Sequence, residues 1–124
     1  MSALTVLIWA GVLLAGGAGA VLRFYVDAIV SSATGRDFPF GTLVVNLSGA
    51  AILGLLTGLL LSSGMALVAG TGVIGSYTTF STWMFETQRL AEERQYRKVL
   101  ANVLVSVAIG VAAAALGRLI GAHL

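Results

Sequence analysis

Hydrophobic side chains in this chain do not alternate with polar ones; they run in long, nearly unbroken blocks separated by brief polar interruptions. A helix needs about 20 predominantly apolar residues to cross a bilayer. Four blocks reach that length: Ala3 to Val30, Phe40 to Leu61, Met65 to Arg89 and Val99 to Ala122. The first interruption holds Ser31, Ser32, Thr34, Gly35, Arg36, Asp37 and the single proline, Pro39. The second is little more than Ser62-Ser63-Gly64, and the third, Ala91 to Lys98, is the strongly charged one. The pattern predicts an all-α membrane protein of four transmembrane helices, one domain over residues 1–124. With loops this short, function must reside in the helix bundle.

Composition agrees with lipid as the solvent. Apolar residues make up 58% and charged residues 10% of the chain, and mean hydropathy is +0.99. A soluble domain of this size would need more polar surface. The net charge of +2 is too small and scattered for a nucleic-acid footprint. Without cysteine there is neither a disulfide nor a thiolate metal site. Ala18-Gly19-Ala20 resembles a signal-peptide cleavage site, but no Lys or Arg precedes the apolar block, so the first span is expected to stay. The partners expected are lipid, small ions and further copies of the chain.

Small residues recur at helical spacing. Asn46, Ala50, Gly54 and Gly58 form one stripe of the second span, and Gly110, Ala114, Gly117 and Gly121 one of the fourth. Such stripes let helix backbones approach closely in lipid. Gly11, Gly16, Gly17 and Gly19 suggest the same for the first span. A four-helix monomer has little interior for a polar path, so these faces also suit a homo-oligomer.

Against that background, one segment of the third span stands apart: Gly75-Ser76-Tyr77-Thr78-Thr79-Phe80-Ser81-Thr82-Trp83. Lipid offers no partner to hydroxyls or freed backbone groups, so such a run survives only against protein or water. Gly70, Gly72 and Gly75 followed by Thr78 and Thr79 weaken the helix and predict a break near its middle. A break releases carbonyls able to hold a cation. Beyond it Phe80 and Trp83 share one face at i, i+3, an arrangement that usually means ordinary core. Asn46 could be interhelical glue. Arg23 and Asp27 are spaced for an i, i+4 ion pair, and Glu86 for pairing with Arg89 at i+3. Asn102 and Ser106 share a face of the fourth span that Gly110 continues.

These segments together resemble the Fluc, or CrcB, family of fluoride channels. The resemblance rests on Gly16-Gly17-Ala18-Gly19-Ala20 with Arg23-Phe24, on Gly41-Thr42-Leu43-Val44-Val45-Asn46, and above all on Gly75 with Thr78-Thr79-Phe80-Ser81-Thr82. It implies an antiparallel homodimer of dual topology, multi-pass in the inner (plasma) membrane, that lets fluoride leave the cell passively and relieves its toxicity. It also implies two fluoride paths at the subunit interfaces and a structural sodium ion at the centre. Sodium would be held by the backbone carbonyls of Gly75 and Thr78 from both subunits. Asn46 corresponds to a pore-facing amide, Phe80 and Trp83 to an aromatic box, and Ser81, Thr82, Glu86, Asn102 and Ser106 to a polar track. Arg23 matches a vestibule arginine. Two departures concern this chain: Trp83 replaces the usual second phenylalanine, and Gly110 stands where the track commonly has a hydroxyl.

The ion's chemistry suits such residues. Moving an unpaired small anion into low dielectric costs on the order of tens of kcal/mol, so a path must replace water with donors. Amide, hydroxyl and positive aromatic edges can do so, and several weak sites suit conduction better than a row of lysines. The alternative reading is a small four-helix proton-coupled multidrug exporter. That chemistry needs a carboxylate deep in the first span, whereas Asp27 lies near its end. A holin-like assembly protein would not need the polar run. No nucleophile and base pair or metal-ligand cluster points to an enzyme. Lys and Arg counts place Arg36, Arg89, Arg94, Arg97 and Lys98 on one side against Arg118 opposite, a bias toward a single orientation.

Overall fold

The computed structural model describes residues 2–124, and every regular element among them is helical. Helix α1 spans Ala3–Thr34 and α2 Phe40–Gly58. The third span is assembled from α3 (Ser63–Ala66), a π-helical segment (Leu67–Ile74), α4 (Gly75–Tyr77) and, after an interruption at residues 78–80, α5 (Ser81–Glu92). Helix α6 covers Tyr96–Ala122. Helices α1, α2 and α6 are each long and apolar enough to cross a membrane, whereas the expected third span is broken into pieces too short to meet that length singly.

Local chemistry sets the ends. Ser2 Oγ accepts the Thr5 N–H at 3.1 Å at the start of α1, and Gly35, at φ 78°, closes it with its N–H on the Ser31 carbonyl. Pro39, which lacks an N–H, stands before α2, where that donor would be unpaired. Helix α5 ends with Gln95 N–H on the Leu90 carbonyl and Arg94 N–H on that of Ala91, with Arg94 left-handed at φ 58°. This is a Schellman closure made without glycine. The turn is short enough for α6 to begin at Tyr96, three residues before the expected Val99. Arg89 Nη2 donates to the Arg36 carbonyl at 3.0 Å, which puts the first and third loops at the same end of the bundle.

Packing follows the small residues. A Cβ at Gly54 would meet the Ala114 carbonyl, and one at Gly117 the Ala51 carbonyl; Gly58 and Gly121 abut Arg118 and Leu55 backbone in the same way. Helices α2 and α6 therefore touch backbone to backbone along the predicted stripes, where dispersion must stand in for the hydrophobic effect. Gly19 packs on the Val73 carbonyl, and a Cβ at Gly72 would sit 3.1 Å from that of Ala15, so α1 lies against the π-helical segment. The sequence suggests Gly17 for this packing too, but nothing lies within 4 Å of where its Cβ would be. It occupies the outer side of α1, one residue off the contact stripe.

The buried core of the chain is small. Val45, Ile74, Tyr77 and Leu90 are its buried apolar members, joined by Thr42, Thr79 and Asn102. Large apolar side chains along α1 and α6, among them Leu13, Phe24, Leu104 and Leu119, point outward. That inversion is what a hydrocarbon solvent permits.

Candidate functional site

The interruption in the third span is held from outside. Thr78 leaves the helix with ψ 159°, its N–H and its Oγ1 both donating to the Ile74 carbonyl at 3.0 Å. The next N–H, that of Thr79, turns to Asn46 Oδ1 at 2.8 Å, and the Thr79 carbonyl accepts Asn46 Nδ2 at 2.8 Å. One side-chain amide thus replaces both backbone partners that the broken helix has lost. Thr79 Oγ1 then accepts the Thr82 N–H at 3.2 Å and donates to Thr82 Oγ1 at 3.1 Å, starting α5 in place of a helical carbonyl.

Two carbonyls are left over. In an unbroken helix the Thr79 N–H would bond to Gly75 and the Thr82 N–H to Thr78. Both donors are committed elsewhere, and no described residue donates to either carbonyl. Gly75 is also exposed on the surface of the chain.

Around the break lie two clefts that share Asn46, Ala50 and Trp83. One, of about 320 Å³, is lined by Gly75, Thr78, Thr79 and Phe80 as well; the other, of about 330 Å³, adds Leu47, Ser106 and Gly110. Phe80 and Trp83 meet edge to face, with ring centroids 5.8 Å apart at 77°. Phe80 is 71% exposed, so it is not part of the chain's core. Gly110 leaves the second cleft open, its nearest neighbour being Leu47 Cδ2 at 3.8 Å from where a Cβ would be.

Behind the clefts a closed set of hydrogen bonds ties α5 to α6. Trp83 Nε1 donates to the Asn102 carbonyl at 3.2 Å, Asn102 Nδ2 to Thr87 Oγ1 at 2.9 Å, and Thr87 Oγ1 to the Trp83 carbonyl at 2.8 Å. Asn102 is 1% exposed, and its Nδ2 donates to Thr87 within the bundle. Among the described residues, Ser106 Oγ is the buried side-chain polar atom without a partner.

Arg23 and Asp27 do not form the ion pair that their spacing suggests; Asp27 instead accepts Ser31 Oγ at 3.2 Å. Gly41 of α2 packs directly on the Asp27 carboxylate, holding it at the start of α2. Arg23 lines a pocket of about 300 Å³ with Phe24, Asp27, Thr42, Thr79 and Thr82, beside the break. Glu86 pairs with Arg89 at 2.9 Å, as its spacing predicts, and Arg89 also holds Glu93 at 2.9 Å. Glu86 sits apart from the two clefts, facing a pocket with Asp27, Ser31 and Arg36. Ser81 is exposed, with its hydroxyl 3.4 Å from Thr79 Oγ1.

Sequence reasoning gave no separate role to Thr79 or Thr87. For Thr79 the available signal is a threonine just ahead of a helix start, a residue type that caps with its hydroxyl. Thr87 follows Trp83 by four, the separation at which a threonine hydroxyl reaches back to a helix carbonyl. Ser48 Oγ, 2.9 Å from Tyr77 OH, likewise gives a buried phenol its partner across the bundle.

Comparison with known proteins supplies the wider frame. A family profile described as "CrcB-like protein, Camphor Resistance (CrcB)" matches residues 10–118. A protein of Mycolicibacterium paratuberculosis named fluoride-specific ion channel FluC 2 is 63% identical over 114 residues, covering 92% of this chain and 93% of its own. One of Mycobacterium tuberculosis with the same name is 61% identical over 117 residues, covering 94% and 93%. A more distant relative in Leifsonia xyli, fluoride-specific ion channel FluC 1, is 41% identical over 122 residues, covering 95% and 89%. That family is one of membrane-embedded ion channels rather than enzymes, and with its profile matched from the first span into the fourth, this chain belongs to the CrcB family.

Proposed function

We propose that this protein is a passive, fluoride-selective channel of the plasma membrane, working as an antiparallel homodimer of dual topology with a structural sodium ion, and that it lowers cellular fluoride. The observation that carries the reading is the pair of clefts divided by Asn46 and Trp83, with donors set along walls that are otherwise apolar. A dehydrated fluoride needs that arrangement, because each step must return part of the hydrogen bonding lost with water.

Each residue has a part in this reading. Arg23 draws the anion to a vestibule. Asn46 Nδ2 carries two hydrogens, only one of which is spent on Thr79, so the other can face the ion. The rims of Phe80 and Trp83 offer positive aromatic edges. Thr82, Ser81 and Ser106 supply hydroxyls, whereas Asn102 serves the track by fixing α5 to α6 and Glu86 by its pairing with Arg89 at the entrance side. No donor along the walls binds as a full opposing charge, which keeps each site weak enough to leave.

The exposed break supports dimerisation and sodium. A bare carbonyl cannot face hydrocarbon without a cost of several kcal/mol. The Gly75 and Thr78 carbonyls fit a hard monovalent cation shared with a second copy, and no cluster of acidic or imidazole ligands among the described residues competes for that role. When bound, sodium would supply positive charge that ties the two breaks together; antiparallel pairing rests on the family likeness.

The deciding experiment is fluoride efflux from liposomes holding purified protein, read by an ion-selective electrode. Fluoride flux far above chloride flux, unaffected by a proton gradient, is expected. A folded protein that passes no fluoride would refute the reading.

A further inference from the structure

Ser106 presents an unusual situation for a hydroxyl within a membrane helix. Serine and threonine in such helices commonly donate to a carbonyl three or four residues back, as Ser48 does to Val45 at 3.1 Å and Thr87 to Trp83 at 2.8 Å. Ser106 does not. The carbonyl one turn back is that of Asn102, which already serves as the α-helical acceptor for the Ser106 N–H. Its second lone pair takes the Trp83 indole N–H at 3.2 Å. A carbonyl has two lone pairs, so none is left for the Ser106 hydroxyl. Buried and without a partner, Ser106 Oγ borders the cleft that it shares with Asn46 and Trp83.

We infer that Trp83 is a positioning residue whose indole N–H, by occupying the Asn102 carbonyl, keeps the Ser106 hydroxyl free to donate to an anion in the α6-side cleft. The inference rests on the fluoride-channel reading. It assigns the indole N–H to the protein and not to the ion, and it makes Ser106 the donor that Trp83 controls. Thr87 and Asn102 complete the device, because Thr87 links the Asn102 amide back to the Trp83 carbonyl and so fixes α5 against α6. Without the indole N–H, the Asn102 carbonyl regains a lone pair and Ser106 turns back onto its own helix.

The test is a cycle of substitutions in a Trp9→Phe background, which leaves Trp83 as the single tryptophan; Trp9 lies outward on α1. Trp83 is replaced by benzothienylalanine, which keeps the ring shape and exchanges N–H for sulfur, and separately by phenylalanine. Each is combined with Ser106→Ala, and fluoride efflux is measured from liposomes. With the indole present, Ser106→Ala should slow efflux about fivefold, the effect of one ordinary hydrogen bond. With benzothienylalanine or phenylalanine in place of Trp83, the same change should alter efflux by less than about twofold. Equal losses in both backgrounds would overturn the inference.

A second readout does not depend on transport. With 15N-indole tryptophan in the Trp9→Phe protein, the Trp83 Nε1–H signal should exchange slowly with deuterium, as a buried hydrogen bond requires. Fast exchange in folded protein overturns the inference even if the Trp83→Phe or benzothienylalanine protein proves unstable. A protected indole in protein that passes no fluoride would mark the failure of the channel reading instead, and with it of the role given to Ser106.

Discussion

Asn46 holds Thr79 by both of its backbone groups, accepting the N–H and donating to the carbonyl at 2.8 Å each, across 33 residues of sequence. The third span can be open at this point because a neighbouring helix supplies the hydrogen bonds it gives up. Asn46→Leu removes both at once and strands a donor and an acceptor where water is scarce. Each buried group so stranded costs about 1–3 kcal/mol. Asn46→Leu should therefore lower the thermal midpoint in detergent by many degrees and abolish fluoride flux. Asn46→Asp keeps the acceptor for Thr79 N–H but loses the donor, and should retain more stability than the leucine variant. If Asn46→Leu left the melting unchanged, the amide would not be what supports the break.

The glycines separate into those that touch backbone and those that do not. Gly54 and Gly117 meet carbonyls of the opposite helix, whereas Gly17 has open space beside it. Gly54→Ala or Gly117→Ala should force α2 and α6 apart and cost about 1–3 kcal/mol, the usual range for overpacking. Gly17→Ala should be neutral or slightly stabilising, since alanine is the better helix former. Thermal unfolding of the three variants in one detergent checks the order, and a destabilised Gly17→Ala protein would show that face to be packed in the membrane.

Phe80 offers a way to separate conduction from folding. Its side chain is 71% exposed in the protomer, so replacing it should leave the protomer fold intact. Its edge-to-face contact with Trp83 puts it at the cleft. Phe80→Ile removes the positive ring edge but keeps an apolar side chain, and should reduce fluoride efflux at least tenfold, about 1.4 kcal/mol on the barrier, without changing the elution volume of the purified assembly. Flux equal to that of the unaltered protein would reduce Phe80 to a lipid-facing or dimer-packing residue.

How far the sequence carries can be judged at particular residues. Three of the four spans, the α2 and α6 stripes and the break after Tyr77 were legible because each rests on local composition: apolar length, glycine spacing, or threonines after clustered glycines. The π-helical stretch from Leu67 to Ile74 was not, since a run of apolar residues and glycines does not by itself distinguish its wider turns from an α-helix. Arg23 and Asp27 show the same limit. Their spacing allows an ion pair, but Ser31 and the close approach of Gly41 draw the carboxylate away. The role of Asn102 was hidden for a related reason, because its partner Thr87 lies on another helix. Spacing within one helix says nothing about a rival on the next.

Sodium gives the last prediction, and the break decides its form. The proposed ligands are carbonyls of Gly75 and Thr78, which lose their helical donors to Asn46 and to the Thr79 cap. Side chains at these positions contribute no ligand atom in that arrangement. A Cβ at Gly75 would meet nothing nearer than the Gly70 carbonyl at 3.7 Å, so Gly75→Ala is sterically permitted within the protomer and leaves the carbonyl in place. It should preserve flux and the sodium dependence of stability. Asn46→Leu, which releases Thr79 from its hold beside the Gly75 and Thr78 carbonyls, should abolish that dependence. In the unaltered protein, exchanging sodium for N-methylglucamine should lower the melting temperature of the assembly, because a ligand held only by the folded form stabilises it by mass action. Fluoride flux should fall in parallel, with no tracer sodium carried along. Sodium moving in proportion to fluoride, or full flux and unchanged melting after its verified removal, would exclude a structural ion at the break.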